Sequence, residues 1–195
     1  YIPGNCFTMY TRHDDFESRL RAQQQPPYFP AASWDEMRAE RTFVQMSDEP
    51  LTLCAGRVRV TTLELDHPAR AWAYRFEADD KVFVYASDGA YFNLDDKRMQ
   101  PYADFYRDAD LLIFDAQFTL AESLEKRTWG HSSAIVGVEL ACSANVKNLA
   151  LFHHDPGADD AQLERLMQVG MQYTGVIPCG PCNVFLAREG ETIQL

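Results

Sequence analysis

The sequence predicts an α/β protein layered around a sheet, and three observations carry that expectation. Residues 57–65 alternate polar and apolar side chains and are rich in β-branched residues, the period-two pattern of a strand with one wet face. Leu111-Leu112-Ile113-Phe114 and Leu149-Ala150-Leu151-Phe152 are unbroken apolar runs, as strands covered on both faces are. Around them the apolar residues switch to helical spacing: Val136 and Leu140 within 132–144, and Leu163, Leu166, Met167 and Met171 within 159–173.

Taken in order, Phe7–Tyr10 reads as a short strand. Asp14 and Asp15 precede a helix over 16–21, placing acids at its positive end. Pro26, Pro27 and Pro30 make 23–30 an extended loop. Ser33 and Glu36 have capping-box spacing for a short helix ending near Glu40. After the strand at 57–65 come strands at 72–77 and 82–86, joined by an acidic turn at Asp79-Asp80. A strand at 111–114, a helix over 132–144 with Val146 also inward, and a strand at 149–152 follow. A helix over 159–173 and a final strand at 183–188 complete the chain. There is no internal repeat or low-complexity tract.

The 195 residues are 46% hydrophobic, enough for a real core. Against 18 Lys and Arg stand 29 Asp and Glu, a formal charge of −11. That balance gives no extended basic surface for nucleic acid or for an anionic membrane, although it leaves room for a local nucleotide site. No apolar run approaches the ~18–20 residues of a membrane helix. No signal-peptide pattern opens the chain, so a cytoplasmic location is expected. The first residue is Tyr1 rather than Met, so the chain need not begin where its gene does.

Five cysteines, Cys6, Cys54, Cys142, Cys179 and Cys182, form an odd and sparse set. They read as cytosolic thiols rather than a disulfide framework. Cys179-Gly180-Pro181-Cys182 has redox spacing, but a strand rather than a helix follows it. The expectation is a tight Gly-Pro turn with two incidental thiols, with a thiol–disulfide protein as the competing reading.

The candidate reactive residues cluster at strand ends. His67 follows the strand at 57–65, Asp88 follows 82–86, Asp115 ends 111–114, and His153 follows 149–152. His131 opens the helix over 132–144. Loops beyond strand ends are where α/β folds put chemistry, and imidazoles with carboxylates suit a divalent metal. Each residue also fits a plain structural role. The histidines fit hydrogen-bonded surface positions, Asp88 before Gly89 fits a turn, and Asp115 and His131 fit helix caps.

Five stretches in order resemble the metallo-β-lactamase superfamily, in its tRNase Z-like and phosphodiesterase-like branch. They are Leu65-Asp66-His67-Pro68 with Ala73–Glu77, Val84–Asp88, Ala109–Phe118, Trp129–Ser133, and Leu151–Pro156. The resemblance spans nearly all the chain and implies an αββα sandwich lacking its N-terminal strands and metal-motif loop. It treats residues 1–195 as a single, N-terminally incomplete domain. It implies His67 as a ligand of a first metal, Asp88 as the carboxylate bridging two metals, and His153 as a ligand of the second. His154 receives no metal. Asp115 and His131 resemble the carboxylate–histidine pair near the scissile phosphate, where the imidazole protonates a leaving group or steadies a phosphoryl oxygen. Two zinc ions, or manganese, would lower the pKa of a shared water and clamp an in-line displacement.

The family's His-x-His-x-Asp-His motif is absent, and its usual place lies shortly before a sequence like Tyr1–Thr8. His67, Asp88 and His153 then supply only part of the ligand set, so this chain alone is expected to bind metal weakly and to be inactive. The competing explanations are a fragment of a complete hydrolase, a split protein, and a non-catalytic binding protein or scaffold on the same fold. Residues 68–87 leave no room for the tRNase Z exosite arm, which shifts the expected substrate from tRNA to a small phosphodiester. A homodimer is implied by the family alone.

Overall fold

A computed structural model describes residues 6–28, 34, 39–91 and 96–195 of the chain. They form two compact units, Tyr1–Glu49 and Pro50–Leu195. The helix expected from Ser33 and Glu36 lies outside the described residues.

In the first unit, β1 (Cys6–Thr11) pairs in parallel with β2 (Glu40–Gln45), and α1 (Phe16–Gln23) lies between them in sequence. The strand β2 had no clear alternation in the sequence and was not expected. Trp34 is buried, and the guanidinium groups of Arg21 and Arg41 lie 4.9 and 4.2 Å from its ring centre.

The second unit is a seven-stranded mixed sheet in simple order: β3 (Leu51–Leu53), β4 (Val58–Leu65), β5 (Ala71–Ala78), β6 (Lys81–Ala86), β7 (Leu111–Asp115), β8 (Asn148–Phe152) and β9 (Asn183–Leu186). The pairs from β3 to β6 are antiparallel and those from β6 to β9 are parallel. Between β5 and β6, Ala78 pairs with Lys81, leaving the two-residue turn Asp79-Asp80 with φ of 49° and 61°. Left-handed backbone at both central positions matches the twist of the strands it joins, and aspartate tolerates it.

Parallel neighbours need crossovers, and the helices supply them: α2 (Asp96–Tyr106) from β6 to β7, α3 (Leu120–Glu125) and α4 (Ala134–Ser143) from β7 to β8, and α5 (Asp160–Thr174) from β8 to β9. α4 packs on β7 and β8, with α2 and α5 beside it. Gly137 of α4 is placed over β7 so closely that a Cβ there would stand 2.6 Å from the Phe114 ring. The core contains Leu112, Phe114, Val138, Leu140, Leu149 and Leu151, all essentially inaccessible.

The predicted strands and the helices over 132–144 and 159–173 all form. α2 and α3 were not expected. Pro101 inside α2 argues locally against a helix, yet Ala103 and Tyr106 are buried in the core and hold it there. Along α5, Leu163 and Met167 face the core, but the buried stripe continues through Gly170 and Met171 is half exposed. The reason is geometric: the i, i+4, i+7 row passes through 163, 167 and 170.

The reading of all five cysteines as thiols is corrected. Cys142 and Cys179 form a disulfide with Cα atoms 4.7 Å apart, while Cys54 and Cys182 are free. The turn at 179–182 therefore carries one free thiol, and Cys179 pairs across the fold rather than along it. The bonded residues are 37 apart in sequence and meet only after α5 has crossed from β8 to β9, so no local spacing announces the pair.

Candidate metal centre

The sheet topology brings the candidate residues to one edge. Two antiparallel pairings separate β4 from β6, so β4 runs in the same direction as β6, β7 and β8. His67, Asp88, Asp115 and His153 therefore all stand at or just beyond C-terminal strand ends on the same side. Register sharpens this: Ala86 pairs with Phe114, and Asp115 with Phe152. His67 is drawn to that side by Asp66, whose carbonyl accepts the Ala90 N–H at 2.9 Å.

Asp115 is the buried anchor, with no accessible surface. Its Oδ1 accepts the N–H groups of Ser132 (3.1 Å) and Gln117 (3.2 Å), and its Oδ2 accepts the N–H of Asp88 (3.1 Å). His131 Nδ1 lies 2.8 Å from the same Oδ2. With Nδ1 turned to this carboxylate, Nε2 is the open nitrogen of His131. Asp115 thus ties the ends of β6 and β7 to the start of α4 and fixes the imidazole ring. The Ser133 hydroxyl caps α4 by accepting the Val136 N–H, so the helix begins at Ala134, three residues past His131.

The other rings gather around His131. Its ring centre is 4.8 Å from His153 in a stacked pair and 5.6 Å from His67 in an edge contact. His153 Nε2 lies 3.5 Å from Asp88 Oδ1, and the Ser87 hydroxyl donates to Asp88 Oδ2 at 2.6 Å. His67 Nδ1 accepts the Ala69 N–H at 3.2 Å, which fixes the ring and leaves Nε2 as its other nitrogen.

Two backbone features build the cluster. Asp88 and His153 both have left-handed φ, 59° and 56°. Such conformations cost energy in non-glycine residues and concentrate at functional sites. Gly130 has φ of 90°, and a Cβ there would stand 2.2 Å from His67 Cδ2. Glycine is required twice over, by the backbone angle and by the closeness of the His67 ring.

Among the described residues, two trios could hold a cation: His67, Asp88 and His131, and Asp115, His131 and His153. Within each trio one ligand atom per residue lies within 4.8 Å of the others. Ligands around a zinc-sized ion at about 2.0–2.2 Å lie within about 4.4 Å of one another, so a slight inward movement suffices. Imidazole and carboxylate donors fit a borderline divalent metal. Four of the five residues are partly accessible, and Asp115 is buried. All five sequence-derived candidates thus meet, and His131 belongs to both trios. His154 is placed elsewhere, lining a separate cavity of about 310 Å³ with Leu163 and Leu186. Burial holds its pKa below the usual histidine value.

Sequence reasoning missed the backbone amides that hold Asp115, because any residue can supply them. It also missed the role of Phe118, whose ring stands edge-on 5.9 Å from His131.

Residues 4–154 match the family described as the beta-lactamase superfamily domain. A curated ribonuclease Z of Sulfurisphaera tokodaii is 34% identical over 85 residues, 44% of this chain and 28% of that protein. The solved metallo-β-lactamase fold protein YhfI of Bacillus subtilis superposes with a TM-score of 0.63 at 18% identity, covering 95% of this chain and 64% of that one. Yeast PDE1 superposes with a TM-score of 0.58 at 11% identity, covering 87% of this chain and 56% of that one. The chain therefore spans well under two thirds of the curated relative that it matches. A mixed sheet covered by helices, the match over 4–154 and a strand-end cluster of histidines and aspartates agree: the chain belongs to the metallo-β-lactamase superfamily.

Proposed function

We propose that the protein is a metal-dependent hydrolase acting on a small phosphodiester. The observation that carries the reading is the buried Asp115 carboxylate 2.8 Å from His131 Nδ1, with the His67 and His153 rings both in contact with His131 and His153 Nε2 3.5 Å from Asp88. The likeness to a ribonuclease Z supports a phosphodiester as the bond, and the absence of an insertion between His67 and Asp88 favours a small one.

His67, Asp88 and His153 would hold a divalent metal, zinc or manganese. Bound there, the metal supplies Lewis acidity toward water and a phosphoryl oxygen, and positive charge within a chain of net charge −11. Asp115 keeps the His131 ring oriented. His131 Nε2 then holds the proton that the departing oxygen takes. The Ser87 hydroxyl fixes one oxygen of Asp88, leaving the other toward His153. A soluble cytoplasmic homodimer is part of the same proposal. Among the described residues no helix is long and apolar enough to cross a membrane.

The test is hydrolysis of bis(p-nitrophenyl) phosphate by the full-length gene product, with metal content measured in parallel. Asp88→Ala is expected to abolish turnover and cut metal occupancy. His131→Ala should lower turnover about 10²–10⁴-fold with most metal retained. Intact activity in Asp88→Ala would overturn the reading. Metal-free protein without activity would favour a binding protein on the same fold.

A further inference from the structure

Beyond the ends of β7 and β8 lies a second feature, a cavity of about 660 Å³ between α3, the start of α4 and α5. That volume is typical of a site for a small organic molecule. It is built on the same three segments as the candidate metal centre. Gln117 and Phe118 follow Asp115, Ser133 to Ile135 follow His131, and Asp155 follows His153. Phe118 is the partition: its ring lines the cavity and also contacts His131.

The walls are apolar, formed by Phe118, Leu120, Ile135, Leu166 and Val169. Val169 is 45% exposed, unusual for an aliphatic side chain on a helix that faces a core elsewhere. The charges at the rim are unequal in their commitments. Glu122 is engaged by the Thr119 cap and by Lys126, and Asp155 accepts the Gly157 N–H. Arg165 has no carboxylate partner among the described residues, and Gln117 Oε1 is buried without a donor. An apolar chamber with one guanidinium free of a carboxylate suits an organic anion with a bulky apolar body, and the Gln117 oxygen calls for an N–H or O–H donor on that body.

We propose that this cavity binds the non-reacting group of the substrate on the leaving-group side of His131. The class is an aromatic or polycyclic group carrying an anionic end. The body packs against Ile135, Leu166 and Val169, and the anion meets Arg165. The assignment to substrate rests on the phosphodiesterase reading, whereas the cavity's affinity for an apolar anion does not.

The experiment separates the two. The probe is 8-anilinonaphthalene-1-sulfonate, an aromatic sulfonate, titrated by fluorescence against folded full-length protein in EDTA. The expected result is saturable binding at one site, weakened at least tenfold by Arg165→Glu and lost in Val169→Trp. Val176→Ala, on an exposed side chain outside the cavity, should bind as wild type. Thermal melts confirm that each variant is folded. With metal restored, the sulfonate should inhibit diester hydrolysis competitively in wild type and not in Val169→Trp. Binding that both cavity variants leave unchanged overturns the proposal. So does sedimentation showing that Val169→Trp splits a dimer, because a second copy then fills the cavity. Noncompetitive inhibition overturns the assignment to substrate. Cavity-dependent probe binding without any hydrolysis upholds the anion pocket and rejects the phosphodiesterase reading.

Discussion

The two halves of the seven-stranded sheet use the same chain chemistry for different ends. In the antiparallel half, from β3 to β6, charged pairs lie along the strands: Arg59 with Glu77 at 2.7 Å, Arg75 with Glu77 at 2.9 Å, and, on the opposite face, Glu64 with Arg70 at 2.9 Å. Burial works against the ionised Glu77, but the hydrogen bonds from Arg59 and Arg75 outweigh it and hold its pKa below the usual glutamate value. In the parallel half, from β6 to β9, the middle strands are covered on both sides and their polar residues are pushed to the ends. The lesson is a division of labour. A strand wet on one face can place charge anywhere along its length, whereas a strand buried on both faces can place it only where the chain leaves the sheet. The candidate centre collects there because β4, β6, β7 and β8 leave in the same direction.

The largest effect on the candidate centre itself should come from the junction of the halves at Gly130. Gly130→Ala drives a methyl into the His67 ring and strains a left-handed backbone position. A misplaced ligand supports costs of about 10–100-fold in metal affinity. Metal titration followed by calorimetry would show it, and unchanged affinity would detach His67 from the centre.

Next is a paired truncation that addresses the comparison directly. Leu149→Ala on β8, fully buried, should cost about 2–5 kcal/mol in denaturant unfolding. Leu53→Ala on the edge strand β3, only partly buried, should cost less than half as much. Equal losses would mean that the antiparallel half is as tightly packed as the parallel one.

Asp110 offers a smaller, pH-dependent test. Its carboxylate is bonded by Lys147, resisted by burial, and bonded again by the Val82 N–H, with a net pKa below the ordinary 3.8. A lowered folded-state pKa adds stability that is complete above the unfolded value and vanishes as pH falls through the folded one. Asp110→Asn should therefore cost about 1–3 kcal/mol at neutral pH. Wild type and variant should converge in stability below roughly pH 3.8. A difference that persists in acid would trace the loss to packing instead.

The smallest effect belongs to the wet face. Arg59→Ala removes a half-exposed ion pair and should cost at most about 1 kcal/mol, shrinking in high salt.

Much of this was legible in the residues. The alternation at 57–65 and the apolar runs at 111–114 and 149–152 allowed one reading each, because period and length agreed. The Thr119…Glu122 capping box was also present in the sequence and marks α3, although its six residues carry too little periodicity to stand out. α2 was hidden by Pro101 and is held by Tyr106, whose hydroxyl lies 2.6 Å from that of Tyr91 in the core.

The sequence by itself determined the chemical inventory: two histidines and two aspartates at or just beyond strand ends and a third histidine before a helix, in an order that matches a known superfamily. It determined this because strand ends and residue types are local properties. Only the tertiary structure decided that His131 stands between His67 and His153, that Asp115 is gripped by three amides, and that Cys142 reaches Cys179 rather than remaining a thiol. Those facts depend on strand direction, register and helix crossovers, which bring residues tens of positions apart within a few ångströms.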